Sequence, residues 1–143
     1  MSMWADTLFA AERAHLLSLM AWAAASLLAG TALVAWLGPG RRSPLLVNFA
    51  IQTAAWGAVE LGTALLSYQK LALRDLFAAT KLDRLLWLNV GLAAGCVFSG
   101  LVLAVAGWKL ARRLGVVGAG IGVVVQGCAL LLLELMLAKQ ISR

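Results

Sequence analysis

Two glutamates stand inside stretches that are otherwise apolar. Glu60 lies within Leu45–Leu66 and Glu134 within Leu114–Ala138, and each follows a glutamine by eight residues, Gln52 and Gln126 respectively. An acid in hydrocarbon is costly to insert and tends to be paired, protonated or turned toward a cavity. At about 1.5 Å of rise per residue, Glu134 is roughly 7 Å from Lys139 and Glu60 about 12 Å from Tyr68. Both acids therefore sit toward the side that carries the chain termini, within reach of Arg13, His15 or Arg84. Two uses stay open for them: a structural ion pair, or a site that handles protons or cations. Trp56, one turn before Glu60, offers an aromatic face of the kind that attracts a cation, although packing is the ordinary use of such a ring. Gln52 and Gln126 lie about 12 Å deeper than the acids and are rotated by about 80° from them, in position to bond to each other near the midplane. Asn48, Gln52, Trp56 and Glu60 follow one another at four-residue spacing, so any ligand site is weighted toward this second stretch.

Other chemistries find no support in the residues. The single histidine, His15, cannot supply a pair of haem ligands, and Cys96 and Cys128 have no metal-ligand spacing and read as small packing residues. No glycine-rich phosphate loop follows a strand, and no nucleophile has an identifiable base. The expectation is a non-enzymatic protein with no cofactor and no metal.

The elements that position these residues are membrane spans. Of the 143 residues 63% are apolar and 13% charged, with a mean hydropathy of +0.93, where a globular chain carries about a quarter charged residues. Four apolar stretches, Leu16–Leu37, Leu45–Leu66, Leu85–Leu110 and Leu114–Ala138, reach the ~20 residues that a spanning helix needs. The expected fold is an all-α membrane protein of one domain, residues 1–143. The first span follows Asp6 and Glu12 and is too long for the apolar core of a secretory signal, so it is expected to be retained. Gly38-Pro39-Gly40 closes the first hairpin, Pro44 suits the first turn of the next helix, and the second hairpin closes around Lys109–Leu114.

The second half of the chain resembles the first. Leu8-Phe9-Ala10-Ala11 returns as Leu76-Phe77-Ala78-Ala79, Arg41-Arg42 as Arg112-Arg113, and the Gln52/Glu60 pair as Gln126/Glu134, at offsets that drift from 68 through 71 to 74. This predicts two tandem helical hairpins, 6–70 and 74–143, related by a pseudo-twofold axis along the membrane normal. Each opens with an amphipathic lead-in helix in the interface; in the second, over Lys70–Arg84, Leu73, Leu76 and Phe77 share a face. Trp36 and Trp108 mark one interface and Trp4 and Trp87 the other. Gly91, Gly95 and Ser99 form a four-residue ladder, as do Gly118 and Gly122 leading to Gln126, and such ladders serve helix packing inside the bundle or oligomerisation.

A net charge of +6 suggests lipid headgroups rather than nucleic acid, because the basic residues flank the spans. Arg13, Lys70, Arg74, Lys81, Arg84, Lys139 and Arg143 accompany the termini, against Arg41, Arg42, Lys109, Arg112 and Arg113 at the two short loops. Counting basic residues alone favours both termini in the cytoplasm.

Gln52-Thr53-Ala54-Ala55-Trp56-Gly57, Leu88-Asn89-Val90-Gly91-Leu92 and Val125-Gln126-Gly127 with Glu134 resemble a domain-of-unknown-function family of small bacterial four-helix membrane proteins, over nearly the whole chain. In that family's pattern an acid and a tyrosine stand where this chain has Ala93 and Cys96. The resemblance implies a bacterial membrane protein and supplies no activity; the inner membrane is its expected location. Two functions are thus expected: an interaction or accessory bundle, as a homo-oligomer or within a larger membrane complex, or an oligomeric proton- or cation-coupled transporter or channel using Glu60 and Glu134.

Overall fold

The computed structural model describes residues 3–38, 43–73, 75–110 and 112–141. Among these the chain forms four helices and no strand: α1 (Met3–Leu37), α2 (Pro44–Gln69), α3 (Leu76–Lys109) and α4 (Leu114–Ile141). All four are long and apolar enough to cross a membrane. Pro39, Gly40, Arg41, Arg42, Arg74, Arg143 and the Trp4 side chain, to which the sequence assigned a turn, basic flanks and an interface, lie outside the described residues.

Local chemistry sets the helix ends. Pro44 occupies the first turn of α2, where its missing N–H is no loss. Gly38, at φ +38°, takes the left-handed conformation that stops α1. The Asp75 carboxylate accepts a hydrogen bond from the Ala78 N–H at 2.8 Å and so starts α3 there; residues 70–73, expected to be helical, are not. From Leu76 the helix runs without a break to Lys109, and α1 likewise runs through 35 residues, so the expected lead-in segments are the first turns of spanning helices rather than separate elements. The second hairpin turns at Arg112, which adopts φ +45° without the freedom of glycine, and the Arg113 N–H bonds the Gly107 carbonyl at 2.9 Å.

Each hairpin is held by direct backbone approach. A Cβ on Gly30 would lie 2.5 Å from the Ala54 nitrogen and 2.7 Å from the Ala50 oxygen, and one on Gly57 2.5 Å from the Leu27 nitrogen and 2.8 Å from the Ala23 oxygen. The second hairpin repeats this pattern. Gly100 faces Val124 N and Gly120 O, and Gly127 faces Val97 N and Ala93 O. Every one of these positions is 70 residues beyond its counterpart. The packing register is therefore a constant 70, not the drift from 68 to 74 that matching residue identities suggested.

Between hairpins, α4 is the shared element: it meets α1, α2 and α3, whereas the backbone of α3 approaches neither α1 nor α2 among the described residues. Gly118 abuts the Leu45 carbonyl, and Gly122 faces the Gln52 side chain, so this small-residue pair does pack inside the bundle. Gly91 and Gly95 do not: nothing lies within 4 Å of a Cβ on either. The reason is their face. The α3 contacts to α4 run through Ala93, Val97, Gly100, Ala104 and Gly107, and Gly91 is about 200° around the helix from Ala93.

Leucine at Gly57 or Gly127 is therefore expected to destabilise the protein by about 1–3 kcal/mol through overpacking. Gly91→Leu is expected to stay within about 0.5 kcal/mol of the parent. Detergent-induced unfolding followed by circular dichroism distinguishes the two.

Candidate functional site

The polar stripe of α2 faces α4. Asn48 donates to the Pro44 carbonyl at 2.9 Å and lies against Gly115, and Gln52 lies against Gly122. Glycine on α4 thus makes room for the first two polar side chains. Further toward the termini α4 presents Gln126, Leu130 and Glu134 instead, and there the four helices enclose a cavity of about 700 Å³.

Its inner wall comes from α1 and α4, where Glu12, Leu16, Glu134 and Leu137 are all buried. Its outer wall comes from α2 and α3, where Val59 is 59% and Leu92 61% exposed. The backbone of α3 stays apart from both α1 and α2, and the exposed residues of the lining belong to α2 and α3 while those of α1 are buried or half-buried, so the cavity opens on the α2/α3 side. Lys70 stands on its lining at the membrane-surface end.

Glu60 is 5% exposed, and neither carboxylate oxygen has a hydrogen-bond partner among the described residues. A buried, unpartnered acid is among the costlier groups a fold can retain. Trp56 lines the same cavity one turn away. Glu134 is better accompanied: the His15 Nε2 lies 3.8 Å from its Oε1, too far for a hydrogen bond but within ion-pair range, and the Asn89 Nδ2 donates to the same oxygen at 3.4 Å. Of the three partners expected for the acids only His15 takes part; Arg13 and Arg84 are exposed. Gln126 is 1% exposed and its Oε1 accepts a 2.7 Å hydrogen bond from the Trp22 indole, so it is tied to α1 and not to Gln52. Its Nε2 has no partner among the described residues.

The constant register explains why one seam closes and the other opens. The Trp22–Gln126 hydrogen bond ties α1 to α4, and nearer the termini His15 of α1 stands beside Glu134 of α4. Seventy residues away, the equivalent positions on α3 and α2 are Leu92 with Trp56 and Leu85 with Ala64. None of these pairs can form a side-chain hydrogen bond, and all four residues line the cavity. Gln52 corresponds to Gly122 and Glu60 to Leu130, so the two Gln/Glu pairs, matched in sequence at an offset of 74, are one helical turn out of packing equivalence.

Sequence reasoning placed both acids toward the terminal side and Trp56 beside Glu60, left open whether the acids share a cavity, and assigned no role to Glu12 or Trp22; the structure puts Glu60, Glu134 and Trp56 on one cavity. Leu8, Glu12, His15 and Leu19 recur at helical spacing, a signal that marks one face of α1. Cys96 lines the cavity and Cys128 is exposed on the outer surface, so neither is a closed core residue; both are free. No group of three or more His, Cys, Asp or Glu side chains among the described residues could hold a metal ion.

A model for a family of unknown function, DUF6992, matches residues 18–135. The chain belongs to this family. The DUF6992 match takes in Glu60, Asn89, Gln126 and Glu134, and starts just after Glu12 and His15. No curated protein and no solved structure matches the chain.

A double-mutant cycle of Trp22→Phe with Gln126→Leu, read by unfolding in detergent, is expected to return a coupling of about 0.6–1.7 kcal/mol, the range found for interhelical hydrogen bonds in membranes.

Proposed function

We propose that this DUF6992 member is a non-enzymatic membrane protein that carries protons or cations, with Glu60 as the exchanging carboxylate. The observation that carries the reading is the placement of Glu60: buried, without a hydrogen-bond partner among the described residues, on a cavity of about 700 Å³ that also receives Glu134 and His15. Acids used only to hold the bundle together are better served by the exposed arginines nearby, which neither engages. Four spans are too few to enclose a wide path across the whole membrane in a monomer, so in this reading the carrier acts as a homo-oligomer. It belongs in a bacterial inner membrane with both termini in the cytoplasm, on the side richer in lysine and arginine.

The chain is, in this reading, a duplicated hairpin. Support comes from the four glycine contacts that recur at a separation of 70 residues. The first turns of α3 lie in the interface, which suits the strong exposure of Leu76 and Phe77.

One observation favours a second reading, an interaction or accessory subunit. Gly91, Gly95 and Ser99 form an outward ladder on α3 with open space before both glycines, as a surface awaiting another membrane helix would.

Reconstitution into liposomes under an imposed membrane potential tests the proposal. Wild-type protein is expected to pass protons or a monovalent cation, with flux lost in Glu60→Gln and reduced several-fold in Glu134→Gln. Flux unchanged by Glu60→Gln, or no flux of any cation tested, refutes the carrier reading and favours the accessory one.

A further inference from the structure

The cavity has features that a proton path alone does not require. It is about 700 Å³ in volume, large enough for a drug-sized molecule, and its walls are mostly apolar, with Leu16, Leu19, Leu82, Leu86 and Leu130 among them. Its mouth is not at the membrane surface alone. Val59 and Leu92 are exposed on either side of the slit between α2 and α3, and at about 1.5 Å of rise per residue Leu92 lies roughly 24 Å along α3 from Leu76. A slit at that depth faces lipid tails. Whatever enters there has first dissolved in hydrocarbon.

The interior asks for the opposite property. Glu60, 95% buried on its relative exposure of 5%, lines this cavity, and its two carboxylate oxygens have no hydrogen-bond partner among the described residues. Trp56, one turn away on α2, belongs to the same lining. A carboxylate beside an indole face attracts a cation through charge and the ring quadrupole together, more strongly where water is excluded. A small metal ion is disfavoured, because no cluster of ligating side chains is present among the described residues. Entry through lipid, apolar walls and an unpaired buried acid are satisfied together by one chemical class.

We infer that the cavity binds an amphipathic organic cation, taken up laterally from the bilayer through the α2/α3 slit and held by Glu60 and Trp56. Its apolar body rests on the leucines, and its charge replaces the partner that Glu60 lacks. The polar ties that shut the α1/α4 seam, Trp22–Gln126 and His15–Glu134, are replaced at the α2/α3 seam by Leu92, Trp56, Leu85 and Ala64. The open seam is thus built into the residues of this chain. The inference rests on the carrier reading and names its substrate class.

The test uses tetraphenylphosphonium as probe, with full-length Cys128→Ser protein in lipid nanodiscs. Cys128 is exposed away from the cavity, and removing it leaves Cys96, on the cavity lining, as the single thiol. Saturable binding by equilibrium dialysis is expected, weakened about tenfold or more by Glu60→Gln as befits loss of a charge-assisted contact. Saturating probe should slow the reaction of Cys96 with N-ethylmaleimide several-fold. That protection needs no change at Glu60 and so stands even if Glu60→Gln fails to fold. Narrowing the slit with Val59→Trp should slow both probe entry and Cys96 labelling. The inference is overturned if no saturable binding occurs, if neutral triphenylphosphine oxide binds and protects equally well, or if Cys96 labelling ignores the probe. Proton flux sensitive to Glu60→Gln without tetraphenylphosphonium binding would overturn this inference and leave the carrier reading standing.

Discussion

Backbone contact at glycine is the constraint on which this bundle depends. Lipid tails are as apolar as leucine, so helices in a membrane gain little from hiding apolar side chains against one another and associate through close packing and a few polar bonds. Gly30 and Gly57 let α1 and α2 touch main chain to main chain, and Gly100 and Gly127 do the same for α3 and α4. Two stiff hairpins result. Gly118 on the Leu45 carbonyl then seats one hairpin on the other near the loops. With glycine used there, the larger and more polar side chains are left at the terminal end, and a cavity lies where they meet.

The cavity's position follows from a difference between two halves that otherwise pack alike. At the α1/α4 seam an indole donates to a buried amide and an imidazole approaches a carboxylate. The indole–amide bond is modest singly, but together with the polar approach beside it, it supplies the attraction that a lipid environment leaves room for. The matching seam has leucine, tryptophan and alanine at the corresponding positions and no such attraction. α3 consequently stays on α4 alone. Glu60, whose counterpart is Leu130, falls beside this open seam with no hydrogen bond to its carboxylate among the described residues. A group that lowers stability and is nevertheless kept in the interior is the pattern expected of a working site.

Much of the architecture was legible before any coordinates. Span number and length follow from hydropathy, and Gly38, Pro44 and the acids' depth follow from short-range backbone chemistry and helix rise. That Trp56 and Glu60 share a face could be anticipated, because four-residue spacing keeps side chains on one side of a helix; that Glu134 of α4 joins them could not. The pairing of Gln52 with Gln126 could not be corrected from the letters. Matching residues by type set them 74 apart, whereas contact between backbones holds the hairpins to 70, and one helical turn separates the two. The ladder of Gly91 and Gly95 could not be assigned for a related reason: small residues at four-residue spacing look the same on a face that packs within the bundle, as at Gly118 and Gly122, and on one that faces outward.

Hydropathy, helix punctuation and the cost of an acid in hydrocarbon act within a single helix or on its exchange with lipid, so the residues alone dictated four apolar helices, their turns and the identity of the unusual acids. Which helix covers which face depends on contacts between segments far apart in the chain. Only the packed bundle therefore decided that Gln126 bonds Trp22, that His15 and Asn89 attend Glu134, and that Glu60 has no hydrogen-bond partner among the described residues on an opening between α2 and α3. Those choices turn on a few close backbone approaches, whose geometry composition and periodicity do not encode.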